Sequence, residues 1–168
     1  MIEVVLSSFA AGLIATVVML LVLYLPRLWR GRPYDVAGVL GSALTGREDA
    51  RSTFLGALTF GAGGIVFAVA YGLVVRTLMV NAAAAPAWTV GTPLPVTLDA
   101  VFPLAGLVLG FAHGAVVALL MTIVVTEHHP LPKYRDSLAL VPWLLVGHLV
   151  FGATAGFFHH QFLQLLLS

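Results

Sequence analysis

The chain has 168 residues, 60% of them hydrophobic and only 9% charged, with a formal net charge of +1. A soluble domain carries about 25% charged residues, so most side chains here must face lipid or other protein. The small net charge gives no reason to expect a nucleic-acid partner. The lack of cysteine removes disulfides, thiolate metal sites and cysteine nucleophiles.

A hydrocarbon core of about 30 Å needs roughly 20 apolar residues in helix. In chain order, the first uncharged stretch is Val4 to Pro26, giving a first span at about 4–26. It is too long, and too poor in N-terminal positive charge, for a cleaved signal peptide. An arginine-rich segment follows, and within it Pro33-Tyr-Asp-Val-Ala-Gly-Val-Leu-Gly-Ser is apolar enough to lie along an interface. Asp35 is placed to cap a short helix there. Gly46 to Arg51 reads as a solvated turn, and a second span follows at about 52–76.

Thr77 to Leu98 is also uncharged, but Asn81, Pro86, Gly91, Pro93 and Pro95 make it a loop. A third span covers about 101–126. A turn with Glu127, His128 and His129, stiffened by Pro130 and Pro132, leads to a fourth at about 138–164. The expected fold is all-α: a single transmembrane domain built as a four-helix up-down bundle.

Orientation follows from the basic residues. Arg27, Arg30, Arg32, Arg47 and Arg51 lie between spans one and two, Lys133 and Arg135 between spans three and four, and Arg76 alone on the other side. Basic loops stay in the cytoplasm, so both hairpin loops are expected inside and both termini outside. Trp29 and Trp143 then suit the inner interface and Trp88 the outer one.

The two halves look alike. Phe9-Ala-Ala-Gly-Leu-Ile with Met19 matches Phe111-Ala-His-Gly-Ala-Val with Met121, and Gly64 to Gly72 aligns with His148 to Gly156. Two helices per copy would relate the copies by an axis along the membrane normal. Each span also has a stripe of small residues, such as Gly106, Gly110 and Gly114, or Gly152 and Gly156. Such stripes let helices approach closely, either within the bundle or against a partner.

Few polar residues interrupt the spans. At 1.5 Å per residue, His113 lies roughly 18 Å from one end of its helix, and His148 roughly 15 Å from the opposite end of its own. Both fall near mid-span, on the small-residue faces, and the two imidazoles are expected to meet. Their counterparts in the first half are Ala11 and Gly64.

Three readings of the pair stand side by side. Each ring bonds a carbonyl or hydroxyl across the interface; or both ligate a haem b iron or a metal ion, with Gly110, Gly114 and Gly152 leaving room; or they serve a proton or substrate path. His159, His160 and Asp99, with Glu3 on the same side, form a weaker candidate metal site, and interfacial anchoring is the plainer reading. His128 and His129 read as a solvated turn. No phosphate-binding loop, Gly-x-Ser-x-Gly or His-Glu-x-x-His is present, so an enzyme is not expected.

Ala15-Thr-Val-Val-Met, Tyr34 to Ser42, His113-Gly and Gly147-His-Leu-Val-Phe-Gly together resemble a family of small four-helix bacterial and archaeal membrane proteins of unknown function. The resemblance implies the four-helix fold and assigns no activity, cofactor or residue role. The leading expectation is a non-enzymatic accessory subunit that contacts lipid and packs into a larger membrane assembly or self-associates. The alternatives are a haem- or metal-binding electron-transfer or sensor protein, and a small-solute or proton transporter.

Overall fold

The computed structural model describes residues 1–29, 34–81, 89–90, 98–135 and 141–168. They are almost wholly helical. α1 spans Ile2–Tyr24 and ends in a 3-10 turn at Leu25–Trp29; α2 is Val36–Thr45; α3 is Ala50–Asn81; α4 is Val101–His128; α5 is Val141–Leu167. Among the described residues four helical segments are long and apolar enough to cross a membrane: Ile2–Trp29, Ala50–Leu78, Val101–His128 and Val141–Leu167. Their lengths agree with the four expected spans; positions 138–140 and Trp88 lie outside the described residues.

α3 runs on to Asn81, so the first residues of the expected Thr77–Leu98 loop are helical instead. No proline or glycine interrupts the chain there before Pro86, and a helix stops only where its residues or caps stop it. Beyond it, Thr89–Val90 pairs with Leu98–Asp99 as a minimal antiparallel ladder.

α2 is the short helix that Asp35 was placed to cap. Its Oδ1 accepts the backbone N–H of Gly38 at 2.9 Å. Gly46 ends α2 with φ +67°, a left-handed conformation that glycine adopts without steric cost.

The packing is uneven. α1 lies between α3 and α5, α4 packs along α5, and α2 lies across α3. Glycines set these contacts. A Cβ on Gly106 would strike the carbonyl of Gly152, and one on Gly152 the carbonyl of Gly106. The α4–α5 stripes therefore touch backbone to backbone, the close approach that small residues permit in lipid. Gly12 meets Ala68 of α3, and Gly147 meets Met19 and Leu23 of α1.

The backbones of α3 and α4, by contrast, stay apart, and the two helices meet through side chains such as Phe67 and His113. An axis exchanging the two hairpins would turn the α1–α5 interface into one between α4 and α3. One of these is a full interface and the other a cleft, so the two halves are not packed equivalently.

The termini of the spans gather in two groups. Ser7 and Ser8 bond His159, and Phe102 stacks on His160 at one end. At the other, Leu23 accepts the N–H of Tyr34, and Val39 faces His129.

Candidate functional site

The two mid-span histidines meet. The rings of His113 on α4 and His148 on α5 lie with centres 4.9 Å apart and planes at 85°. Each is fixed by its other neighbours. His148 donates from Nδ1 to the carbonyl of Leu144 at 2.7 Å, one turn back on α5. Its Cβ sits 2.5 Å from where a Cβ on Gly114 would be, so glycine at 114 is what lets the side chain in. His113 lies against the ring of Phe67, with centres 3.6 Å apart. Its Nδ1 is 3.0 Å from the Tyr71 hydroxyl, which is also 3.1 Å from the carbonyl of Leu109.

The pair forms one wall of a pocket of about 150 Å³ in the cleft between α3 and α4. α3 contributes Phe60, Gly64 and Phe67, α4 contributes Val117 and Met121, and α1 and α5 form the floor with Thr16, Met19, Leu144 and Phe151. Tyr34, Val36 and Leu40 close the end beneath α2. None of the lining residues is Asp, Glu, Lys or Arg. Burial pushes the Tyr34 phenol up to about 12. The mouth faces outward between the helices, where Thr59 and Phe67 are exposed.

Polar atoms in this apolar wall lack partners. Thr16 Oγ1 and His113 Nε2 are buried without a hydrogen bond. Thr59, Thr122 and Thr126 all bond back to the carbonyl four residues earlier, the usual resting place of a helical threonine hydroxyl. Thr16 does not. Its hydroxyl fills the space that the missing side chain of Gly64 leaves. Most buried polar atoms in folded proteins are paired; of the three unpaired ones among the described residues, two border this pocket and the third, His160 Nε2, lies away from it.

The room expected around the imidazoles for a porphyrin is taken. Gly110 is closed by the His148 carbonyl and by Gly152 Cα, Gly114 by the His148 side chain, and Gly152 by Gly106 and Gly110. These glycines bring backbones together and leave no slot for a haem, and a pocket of about 150 Å³ falls below the roughly 300–1,000 Å³ usual for drug-sized ligands.

His159, His160 and Asp99 are not brought together as a metal site either. His159 is buried in the α1–α5 interface with its Nδ1 3.0 Å from Ser7 Oγ and 2.9 Å from Ser8 Oγ. His160 stacks on Phe102 at 4.3 Å. Asp99 accepts the N–H of Val101, and Glu3 pairs with the terminal amine. Among the described residues no three His, Asp or Glu side chains are grouped to hold a metal ion.

The sequence reading missed Thr16 and Tyr71 at the pocket and misplaced one buried histidine. His129 is not solvated but 1% exposed. Leu131 N–H donates to its Nδ1 at 3.1 Å, which leaves its Nε2–H to donate to the Val39 carbonyl at 3.1 Å, with Ser42 Oγ at 3.3 Å. It pins α2 over the closed end of the pocket. His128 beside it is exposed. Lys133, on the same face, pairs with Glu48, a bond that holds its ammonium above the usual lysine range. Proline-stiffened histidine pairs read as loops, and only the position of α2 distinguishes the two.

No family model, curated protein or solved structure matches this chain.

Proposed function

We propose that this chain is a non-enzymatic, multi-pass membrane protein that binds a small lipophilic molecule taken sideways from the bilayer. The arginine-rich end is read as cytoplasmic, the four spans as an up-down bundle, and the two hairpins as diverged copies of one unit. The observation that carries the binding reading is the unpaired Thr16 and His113 in the wall of an uncharged pocket open between α3 and α4. Apolar cavities of about 150 Å³ take up benzene-sized guests. Lateral entry suits a mouth flanked by exposed Phe67.

The test is ¹⁹F NMR of fluorobenzene added to lipid nanodiscs with and without the protein. Broadening beyond that of empty nanodiscs, abolished by filling the pocket with Val117→Trp, is the expected result. Identical spectra with and without protein would remove the reading.

A second reading, an accessory subunit of a larger assembly or oligomer, is favoured by a different observation. Among the described helical glycines only Gly61 and Gly63 have open space where a Cβ would be. An interior helical glycine costs up to about 1 kcal/mol against alanine, and these two gain no contact within the chain. Gly63 borders the pocket, and a neighbour packed on another face of α3 would account for Gly61. Chemical cross-linking in membranes, followed by purification in mild detergent, tests it: a lone monomer, unchanged by Gly61→Leu, counts against it.

A further inference from the structure

The geometry points to the chemical class of the guest: a single ring bearing a hydroxyl donor, a phenol or hydroquinone head, donating to His148 on the pocket wall. This rests on the binding reading above and deepens it. The hydrogen bonds fix which atoms the pocket offers. A carbonyl only accepts, so the 2.7 Å bond to Leu144 assigns the His148 proton to Nδ1 and leaves Nε2 a bare acceptor.

For His113 two arrangements compete. If Tyr71 donates to His113 Nδ1, its contact with the Leu109 carbonyl is unused and an Nε2–H donor is buried unpaired. If Tyr71 donates to Leu109 and His113 Nδ1–H donates to the Tyr71 oxygen, both contacts are bonds. The second makes one bond more and leaves only an acceptor unpaired, which is tolerated more often than an orphaned N–H. His113 Nε2 is then bare as well.

His148 Nε2 is a bare acceptor on the pocket wall and calls for a guest that donates; His113 Nε2 and Thr16 Oγ1 are shut in by their own neighbours. His148 is 6% exposed, so water from outside the bilayer is a poor competitor. A hydrocarbon chain or an ether would leave the acceptor unpaired. A hydroxyl on a ring pairs it, and the flat walls of Phe60, Phe67 and Phe151 suit an aromatic face.

The experiment compares fluorobenzene, 4-fluorophenol and 4-fluoroanisole by ¹⁹F titration in nanodiscs, each corrected for its partition into empty ones. The phenol is expected to bind about tenfold more tightly than the anisole, the ratio one net hydrogen bond supplies. His148→Phe should abolish the preference without lowering fluorobenzene binding, and Thr16→Val, whose hydroxyl faces Gly64, should leave the preference unchanged. Should His148→Phe fail to fold, the same loss in His148→Leu decides. Equal binding of phenol and anisole overturns the donor inference while the pocket reading stands. Failure of all three to bind overturns the pocket reading itself.

Discussion

The Thr16 hydroxyl on α1 occupies the volume where Gly64 of α3 has no side chain. Their contact sets how closely α1 and α3 approach at the level of the histidine pair. Gly64→Ala should therefore push Thr16 toward the pocket or part the helices, at a cost of about 1–3 kcal/mol, typical of overpacking. Thermal unfolding in lipid nanodiscs measures it. The double variant Thr16→Ala, Gly64→Ala should recover part of the loss, since the hydroxyl that clashes is gone. Additive losses would show that the two residues do not share this space.

Glycines on different faces should respond in opposite ways. Gly106 and Gly152 face each other's carbonyls, so alanine at either separates α4 from α5. A loss of about 2 kcal/mol or more is expected, because the backbone cannot move as a flexible side chain would. Gly61 meets nothing within the chain, and Gly61→Ala should be neutral or stabilising by up to about 1 kcal/mol in the isolated protein. If Gly61→Ala were as harmful as Gly106→Ala, the glycine there would be serving the fold and not a neighbour.

The four spans were legible because lipid imposes one demand over some 20 residues, an unbroken run of apolar helix. Asp35 was legible because capping is local. The shared depth of His113 and His148 was legible, since both had to lie near mid-span; their proximity in the plane needed the structure. What the sequence did not show was the use made of each glycine. A Gly-x-x-x-Gly stripe looks the same whether it leaves room for a cofactor or admits a facing backbone, and Gly110 and Gly152 do the second.

The cleft was hidden for a related reason. Matching hairpins suggested matching interfaces. Yet where α1 presents fully buried Ser8, Ala11 and Ala15, α4 carries His113 at the position equivalent to Ala11, and Phe67 lies across its ring. Large rings facing one another hold α3 and α4 apart, whereas small residues let α1 settle against its neighbours.

His129 should behave as a structural residue despite its place in a turn. Its two ring nitrogens bond Leu131 and Val39, so His129→Ala leaves the Val39 carbonyl without that donor and opens a void beneath α2. Loss of such a bond costs about 1–3 kcal/mol. Amide hydrogen exchange in α2 should quicken in His129→Ala and remain unchanged in His128→Ala, whose side chain is exposed. Equal protection in both variants would mean that α2 is held without this bond by its close contacts with α3, Gly41 on Ser52 and Ala37 on Gly56.

Alkali should loosen the closed end of the pocket before it unfolds the spans. Burial raises the Tyr34 phenol from its ordinary value of 10.0 to about 12, because a phenolate there would give up its hydration. Being raised, the group stabilises the folded state fully below the unfolded value near 10 and loses that contribution as the pH climbs toward 12. Ultraviolet titration of the phenolate band should show one tyrosine ionising near 12, absent in Tyr34→Phe. The Tyr34→Phe protein should keep more of its stability between pH 10 and 12 than the unsubstituted chain does. A Tyr34 that ionises near 10 would mean that water reaches this end of the pocket, and the guest would then have a route in from the arginine-rich face as well as from the lipid.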